Sequence, residues 1–108
     1  MTIKLPRIIE QYVNASNAHD VISILSCFLD TATVRDEARM RNGKKEIESW
    51  IVETIQKYKF HFKPLSVKMD DSAPVVTIEV SGTFDGSPVN LNYRFILEDE
   101  KIRSLEIE

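Results

Sequence analysis

The hydrophobic period of this chain changes once, at Phe60, and that change limits the possible folds more than any other feature. Before it, apolar residues recur at helical spacing; after it, they alternate with polar ones. Leu5, Ile8, Ile9, Tyr12, Val13 and Ser16 form the first helical stripe, with Pro6 in the opening turn, where an absent N–H loses no partner. His19-Asp20 interrupts it. Asp20 is a natural N-cap for a second helix over Val21–Leu29, expected to be deeply packed because Val21, Ile22, Ile24, Leu25, Phe28 and Leu29 are apolar almost all round. Ala32 to Met40 is short and mixed, with a strand-like Thr33-Val34. Asn42-Gly43 precedes a third helix from about Lys44 to Lys59, with Ile47, Trp50, Ile51, Thr54, Ile55 and Tyr58 as its buried stripe.

From Phe60 onward the pattern is that of strands. Phe60 and Phe62 open the first, with Pro64 a kink or bulge. Val76, Ile78 and Val80 alternate with polar neighbours, and Phe84-Asp85-Gly86-Ser87 is a hairpin turn in which Gly86 supplies a positive φ. Leu91, Tyr93, Phe95 and Leu97 form the next inward row, and Leu105 and Ile107 the last. Ile102 breaks that parity and belongs at a turn or bulge. Helices followed by a meander of strands is α+β logic. The expected architecture is one domain over residues 1–108: a curved antiparallel sheet with three N-terminal helices on its concave face, a cone-shaped α+β barrel.

Composition excludes several functions. The net charge is −3, without the basic stripe that neutralises phosphates, so no nucleic acid is expected. No apolar run approaches the ~20 residues of a membrane span, and Met-Thr-Ile-Lys-Leu-Pro-Arg lacks a signal-peptide core, so no membrane association is expected. Cys27 is the only cysteine. It cannot form an internal disulfide and reads as a small buried hydrophobe, which favours a cytoplasmic setting. His19 and His61 form no metal-ligand pair, and GxGxxG, GxxxxGK[ST] and CxxC are all missing, so no metal and no cofactor are expected.

The candidate chemistry rests on Asp36 and Tyr12. A carboxylate and a phenol converging on an apolar cavity can move a proton next to a carbonyl. Asp36 can do so only if burial raises its pKa. Paired with Arg35, Arg39 or Arg41 it would be a surface aspartate and a poor base. Tyr12, on the inner stripe of the first helix, is either a donor into a pocket or a core tyrosine with a backbone partner. Where helices cover a curved sheet, core wall and pocket wall are built from the same residues. Trp50, Phe28, Phe60, Phe62, Tyr93, Phe95, Leu105 and Ile107 are the expected lining of a small apolar pocket.

Tyr12-Val13-Asn14-Ala15 with Asn17-Ala18-His19-Asp20, Ala32-Thr33-Val34-Arg35-Asp36, Asn42-Gly43 with Ile47 and Trp50, and Gly82-Thr83-Phe84-Asp85-Gly86 occur in an order that resembles the SnoaL-like branch of the nuclear transport factor 2-like superfamily. The resemblance spans nearly the whole chain. It implies the ketosteroid isomerase-like fold and, by likeness to those isomerases, Asp36 as general base and Tyr12 as oxyanion donor. Their second donor, a protonated acid on a late strand, falls at Phe95, which cannot donate. The inward carboxylate of the polyketide cyclases is likewise replaced, by Leu105 and Ile107.

Two readings follow. In one, the domain binds a small apolar or carbonyl-containing molecule and performs an isomerase- or lyase-type proton transfer without a cofactor. In the other, it is a non-catalytic dimeric binding or interaction module whose pocket is filled by its own side chains. Thr77, Glu79, Asn92, Arg94 and Ile96 point to the convex face, and the resemblance implies a homodimer through that face.

Overall fold

The computed structural model describes residues 3–108. Three helices, α1 (Arg7–Asn17), α2 (Val21–Ser26) and α3 (Gly43–Tyr58), accompany six strands: β1 (Phe28–Asp36), β2 (Arg39–Asn42), β3 (His61–Asp70), β4 (Ala73–Ser81), β5 (Val89–Glu98) and β6 (Lys101–Ile107). The strands form one curved sheet in the order β2-β1-β6-β5-β4-β3. The architecture is the α+β cone expected from the sequence, with one addition. β1 and β6 run parallel while every other pair is antiparallel, so the sheet is mixed.

The second helix is shorter than its apolar run suggests. It ends at Ser26, and Phe28 and Leu29 open β1 instead. A continuous apolar stretch does not distinguish helix from buried strand by periodicity. Here the Ile102 N–H donates to the Cys27 carbonyl at 2.8 Å and Phe28 aligns with Ile102, so pairing with β6 takes the segment. Nor is α2 deeply packed all round: Ile24 is buried, but Ile22 is 81% exposed. Its start is as expected, with the Asp20 carboxylate accepting from the Ser23 N–H at 3.2 Å.

Two irregularities set which side chains face inward. The β5–β6 register shifts after Ile96, leaving Arg103 as the extra residue, so Ile102 and Leu105 are both wholly buried despite their odd spacing. The β3–β4 register shifts between Pro64 and Ser66, a bulge directly after the proline on an edge strand. Gly82 lies against the last turn of α3. A Cβ there would collide with the Tyr58 carbonyl, which accepts the Thr83 N–H at 2.8 Å. Gly86 has the positive φ, +89°, that its turn requires.

The core lies between the helices and the inner sheet face, with Ile9, Phe28, Val34, Ile47, Val76, Ile78 and Phe95 wholly buried. Asn17 joins the two layers. Its carboxamide accepts from the Phe62 N–H at 2.7 Å and donates to the Phe62 carbonyl at 3.0 Å, fixing α1 to β3. His19, just beyond α1 at φ 53°, brings its Nε2 within 2.7 Å of the Phe60 carbonyl. A carbonyl only accepts, so Nε2 carries the proton. His61 points away from Phe60 and Phe62 and is exposed.

Candidate functional site

A cavity of about 440 Å³ opens between the helices and the inner sheet face. That size falls in the range of small-molecule sites. Its floor and its mouth are built differently.

The floor comes from α1, the end of β1, the middle of α3 and β5. On β1, alternation carries Ala32 and Val34 inward and therefore Asp36 as well. Asp36 is half-buried, and its Oδ2 accepts the Trp50 Nε1–H from α3 at 3.1 Å. None of the described cations forms an ion pair with its carboxylate. Arg41 donates instead to the Asp36 backbone carbonyl, at 2.6 Å. Burial is the largest influence on this carboxyl and raises its pKa. The Trp50 hydrogen bond opposes the rise, Glu37 adds to it, and Arg41 opposes it.

Tyr12 lines the same floor and is 2% exposed. Burial drives its pKa far above the usual phenol range, and the Asp36 charge pushes it further, against a smaller contribution from the Ser16 hydroxyl. Tyr93, one alternation before Phe95 on β5, also lines the floor and is 3% exposed. Its pKa is raised well above the ordinary value by burial first, then by Tyr12 and Asp36. Both phenols therefore keep their protons and can only donate toward developing negative charge. Two donors and one carboxylate without an ion pair among the described residues face one apolar space.

Of the residues expected to line the pocket, Trp50, Phe60, Phe62, Tyr93 and Ile107 do so. Phe28, Phe95 and Leu105 do not. All three are wholly buried beneath the wall. The reason is that Tyr12 stands in front of two of them. Its ring meets Phe28 edge-on at 5.9 Å and Phe95 edge-on at 5.7 Å, while Leu105 pairs with Phe95 across β5–β6. These rings hold Tyr12 in place rather than touching a ligand. Phe60 and Phe62 stack at 4.6 Å to form one side wall, and Phe62 meets Tyr93 at 5.5 Å.

The mouth is formed by Glu37, Ala38, Tyr58, Phe84, Val89 and Glu108. Glu37 and Ala38 make the β1–β2 turn with φ of 55° and 61°, the geometry of a tight hairpin made here without glycine. The Tyr58 hydroxyl donates to Glu37 Oε1 at 2.8 Å, and its ring meets Phe84 edge-on at 5.6 Å. The basic residues near Asp36 lie outside: Arg35 pairs with Glu106 at 3.8 Å and Lys44 with Asp30 at 3.6 Å, both solvent-facing. Among the described residues, no cluster of three or more His, Cys, Asp or Glu side chains is placed to hold a metal ion. No described helix is long and apolar enough to cross a membrane.

In the sequence Tyr93 reads as pocket wall without a chemical role, because the acid position of the isomerases falls at Phe95. The signal was present in the alternation of Leu91, Tyr93 and Phe95, which puts Tyr93 and Phe95 on the same inner face. The mouth pair Glu37–Tyr58, 21 residues apart in sequence, carried no such signal.

Comparison with solved structures decides the family. A candidate polyketide cyclase from Sinorhizobium meliloti is 34% identical, with 96% of this chain and 95% of that one covered and a TM-score of 0.92. The chain belongs to the SnoaL-like branch of the nuclear transport factor 2-like superfamily. A SnoaL-like protein from Burkholderia thailandensis shares the fold at 14% identity, with 94% and 91% of the two chains covered and a TM-score of 0.81. So does SalBIII, an epoxide hydrolase/cyclase-like enzyme of pyran ring formation in the polyether salinomycin, at 20% identity, 94% and 86% coverage and a TM-score of 0.82. No family model matches the sequence, and no curated protein matches it.

Proposed function

We propose that this SnoaL-like domain binds a small apolar carbonyl compound and moves a proton beside the carbonyl, without a cofactor. Asp36 removes a proton from the carbon next to the carbonyl. The C–H electron pair becomes the new C=C bond, the carbonyl π pair moves to oxygen, and Tyr12 and Tyr93 donate hydrogen bonds to that oxygen. Where the ligand carries a C=C β,γ to the carbonyl, return of the proton from Asp36 to the γ-carbon shifts that double bond into conjugation and re-forms the C=O, which completes an isomerisation. Its delivery to a departing β-hydroxyl, released as water, completes a dehydration.

The observation that carries this reading is a half-buried carboxylate with no ion-pair partner among the described residues, facing the same cavity as two buried phenols. A surface aspartate held by arginine would have a lowered pKa; here burial raises it. The Sinorhizobium protein's description as a candidate polyketide cyclase agrees in kind, since cyclisation of a polyketide also begins with removal of an acidic C–H.

The test needs no knowledge of the natural substrate. Exchange of the α-protons of simple cyclic ketones with deuterium oxide, followed by NMR, reports proton abstraction directly. The wild-type chain should accelerate exchange and Asp36→Asn should reduce it by about 10²–10⁴-fold. Equal exchange by the two would end the proposal.

The second reading is a non-catalytic homodimeric binding module. It is favoured by the sheet face that carries no helix, where Thr77, Glu79, Arg94 and Ile96 are half-buried already. A second copy packed on this face would be isologous. Light scattering at tens of micromolar tests it: a dimer mass supports the association and a monomer mass removes it.

A further inference from the structure

The two oxygens of the Asp36 carboxylate are not alike. Oδ2 accepts the indole N–H of Trp50 at 3.1 Å, and no other side chain among the described residues hydrogen-bonds the group. The next backbone N–H, of Glu37, is a smaller influence on it. The contact joins two elements, since Asp36 ends β1 and Trp50 lies midway along α3. Both partners are held. Arg41 donates to the Asp36 carbonyl at 2.6 Å and fixes the backbone beneath the carboxylate. Trp50 is 7% exposed and shares the buried stripe of α3 with Ile47 and Ile51.

An indole N–H only donates. Its bond to Oδ2 therefore survives whether Asp36 is ionised or protonated. A protonated carboxyl accepts better through its carbonyl oxygen than through its hydroxyl, so the acidic hydrogen settles on Oδ1. An arginine in the same place would also orient the carboxylate, but its charge would lower the pKa and weaken the base. A neutral donor fixes direction and leaves the effect of burial dominant, as it is here. Without the indole, the carboxylate would turn about its Cβ–Cγ bond and present either oxygen. The other titratable groups around it are Tyr12 from α1, Tyr93 from β5, Glu37 from the turn and Arg41 from β2, with Tyr58 and Glu108 out at the mouth. None of their side chains hydrogen-bonds the carboxylate.

We infer that Trp50 is the positioning residue of this site: it holds Asp36 Oδ2 and leaves Oδ1 as the oxygen that takes and returns the ligand's proton. The role deepens the proton-transfer reading and rests on it, whereas the pairing stands by itself.

Two measurements on the full chain test it. Trp50 is the only tryptophan, so its indole N–H gives a single NMR signal. That signal should titrate with Asp36 between about pH 3 and pH 9 and lose the titration in Asp36→Asn. Glu37, Glu108 and Arg41 remain in that variant, so a titration that persists belongs to them and overturns the pairing. The second measurement replaces Trp50 by benzothienylalanine, which keeps the ring shape and carries sulfur where the indole carries its N–H. Deuterium exchange of the α-protons of cyclohexanone is then followed across pH. The plateau rate should fall by about 10–10²-fold, the scale of a misplaced reacting group, with KM unchanged because the wall keeps its shape. The midpoint of the pH–rate profile should move up, because the indole bond opposes the rise in the Asp36 pKa. A merely structural tryptophan would leave plateau and midpoint in place. An unchanged plateau overturns the inference and leaves the proton-transfer reading standing, provided that wild-type exchange still depends on Asp36. Absence of Asp36-dependent exchange in the wild-type chain removes both.

Discussion

Tyr12 and Tyr58 line one cavity, yet they sit in opposite chemical situations. Tyr58, at the mouth, spends its hydroxyl on Glu37 and its ring on Phe84 and Lys57. Tyr12, at the floor, is packed by Phe28 and Phe95 and shares its space with Tyr93 and with Asp36, whose carboxylate has the Trp50 hydrogen bond but no ion pair among the described residues. At the mouth, polar groups are paired and close to water. At the floor, burial raises the pKa of every titratable group and pairing does little to reverse it. The difference teaches where chemistry can reside. An exposed group already held by a neighbour gains little from a ligand, whereas a desolvated group whose few hydrogen bonds do not offset its burial gains more.

The strongest way to break this contrast is to remove its packing. Phe95→Ala should destabilise the fold by about 3–5 kcal/mol in urea unfolding, as expected for a wholly buried ring. Phe84→Ala, at the half-buried mouth, should lose only about 1 kcal/mol. Similar losses at the two positions would mean that the floor is not the rigid part.

Tyr93→Phe sharpens the functional side. Removing one oxyanion donor should lower ketone exchange by about 10²–10³-fold, or roughly 2.7–4 kcal/mol in the transition state. Tyr12→Phe should do likewise. An unchanged rate in Tyr93→Phe would return the donor role to Tyr12 alone.

The third test uses the sign of the Asp36 shift. Its folded-state pKa lies above that of the unfolded chain, so the protonated form favours folding. The stability this contributes is fully present below the unfolded pKa of about 3.9 and lost as pH rises through the folded value. Asp36→Asn should therefore be more stable than wild type at neutral pH, with the two converging below about pH 3.9. Thermal melts across pH measure it. A variant less stable at pH 7 would reveal a charged partner for Asp36.

The smallest effect belongs to Tyr58→Phe, which removes an exposed hydrogen bond and should cost about 0.5 kcal/mol. A large loss there would show that the mouth is as critical to the fold as the floor.

These contrasts also explain what could be read from the sequence. The period change at Phe60, the inner stripes of α1 and α3 and the alternation of β4 and β5 are local patterns, and they gave the architecture. Val21–Leu29 was misread because an all-apolar run has no period; its division into α2 and β1 depends on β6, some 75 residues further on, as the Lys101–Ser26 hydrogen bond also shows. Asp36 and Tyr12 were legible as candidates through the inward faces of their elements. Phe28, Phe95 and Leu105 were misplaced for a different reason. Inward orientation is a property of one strand or helix, but whether an inward residue reaches the cavity depends on what stands in front of it, and here that is Tyr12.

The double hydrogen bond between Asn17 and Phe62 has a consequence beyond joining two layers. β3 is an edge strand, and the Phe62 N–H and carbonyl lie on its open side, where the side chain of Asn17 takes the place of another strand. Two residues on, Pro64 shares that parity and has no N–H to offer, and the bulge at Leu65 then breaks the register. An extended peptide approaching this margin would find one site occupied, the next without a donor and the spacing wrong. The contact that steadies the aromatic wall of the cavity thereby also protects the molecule from growing, strand upon strand, into an aggregate.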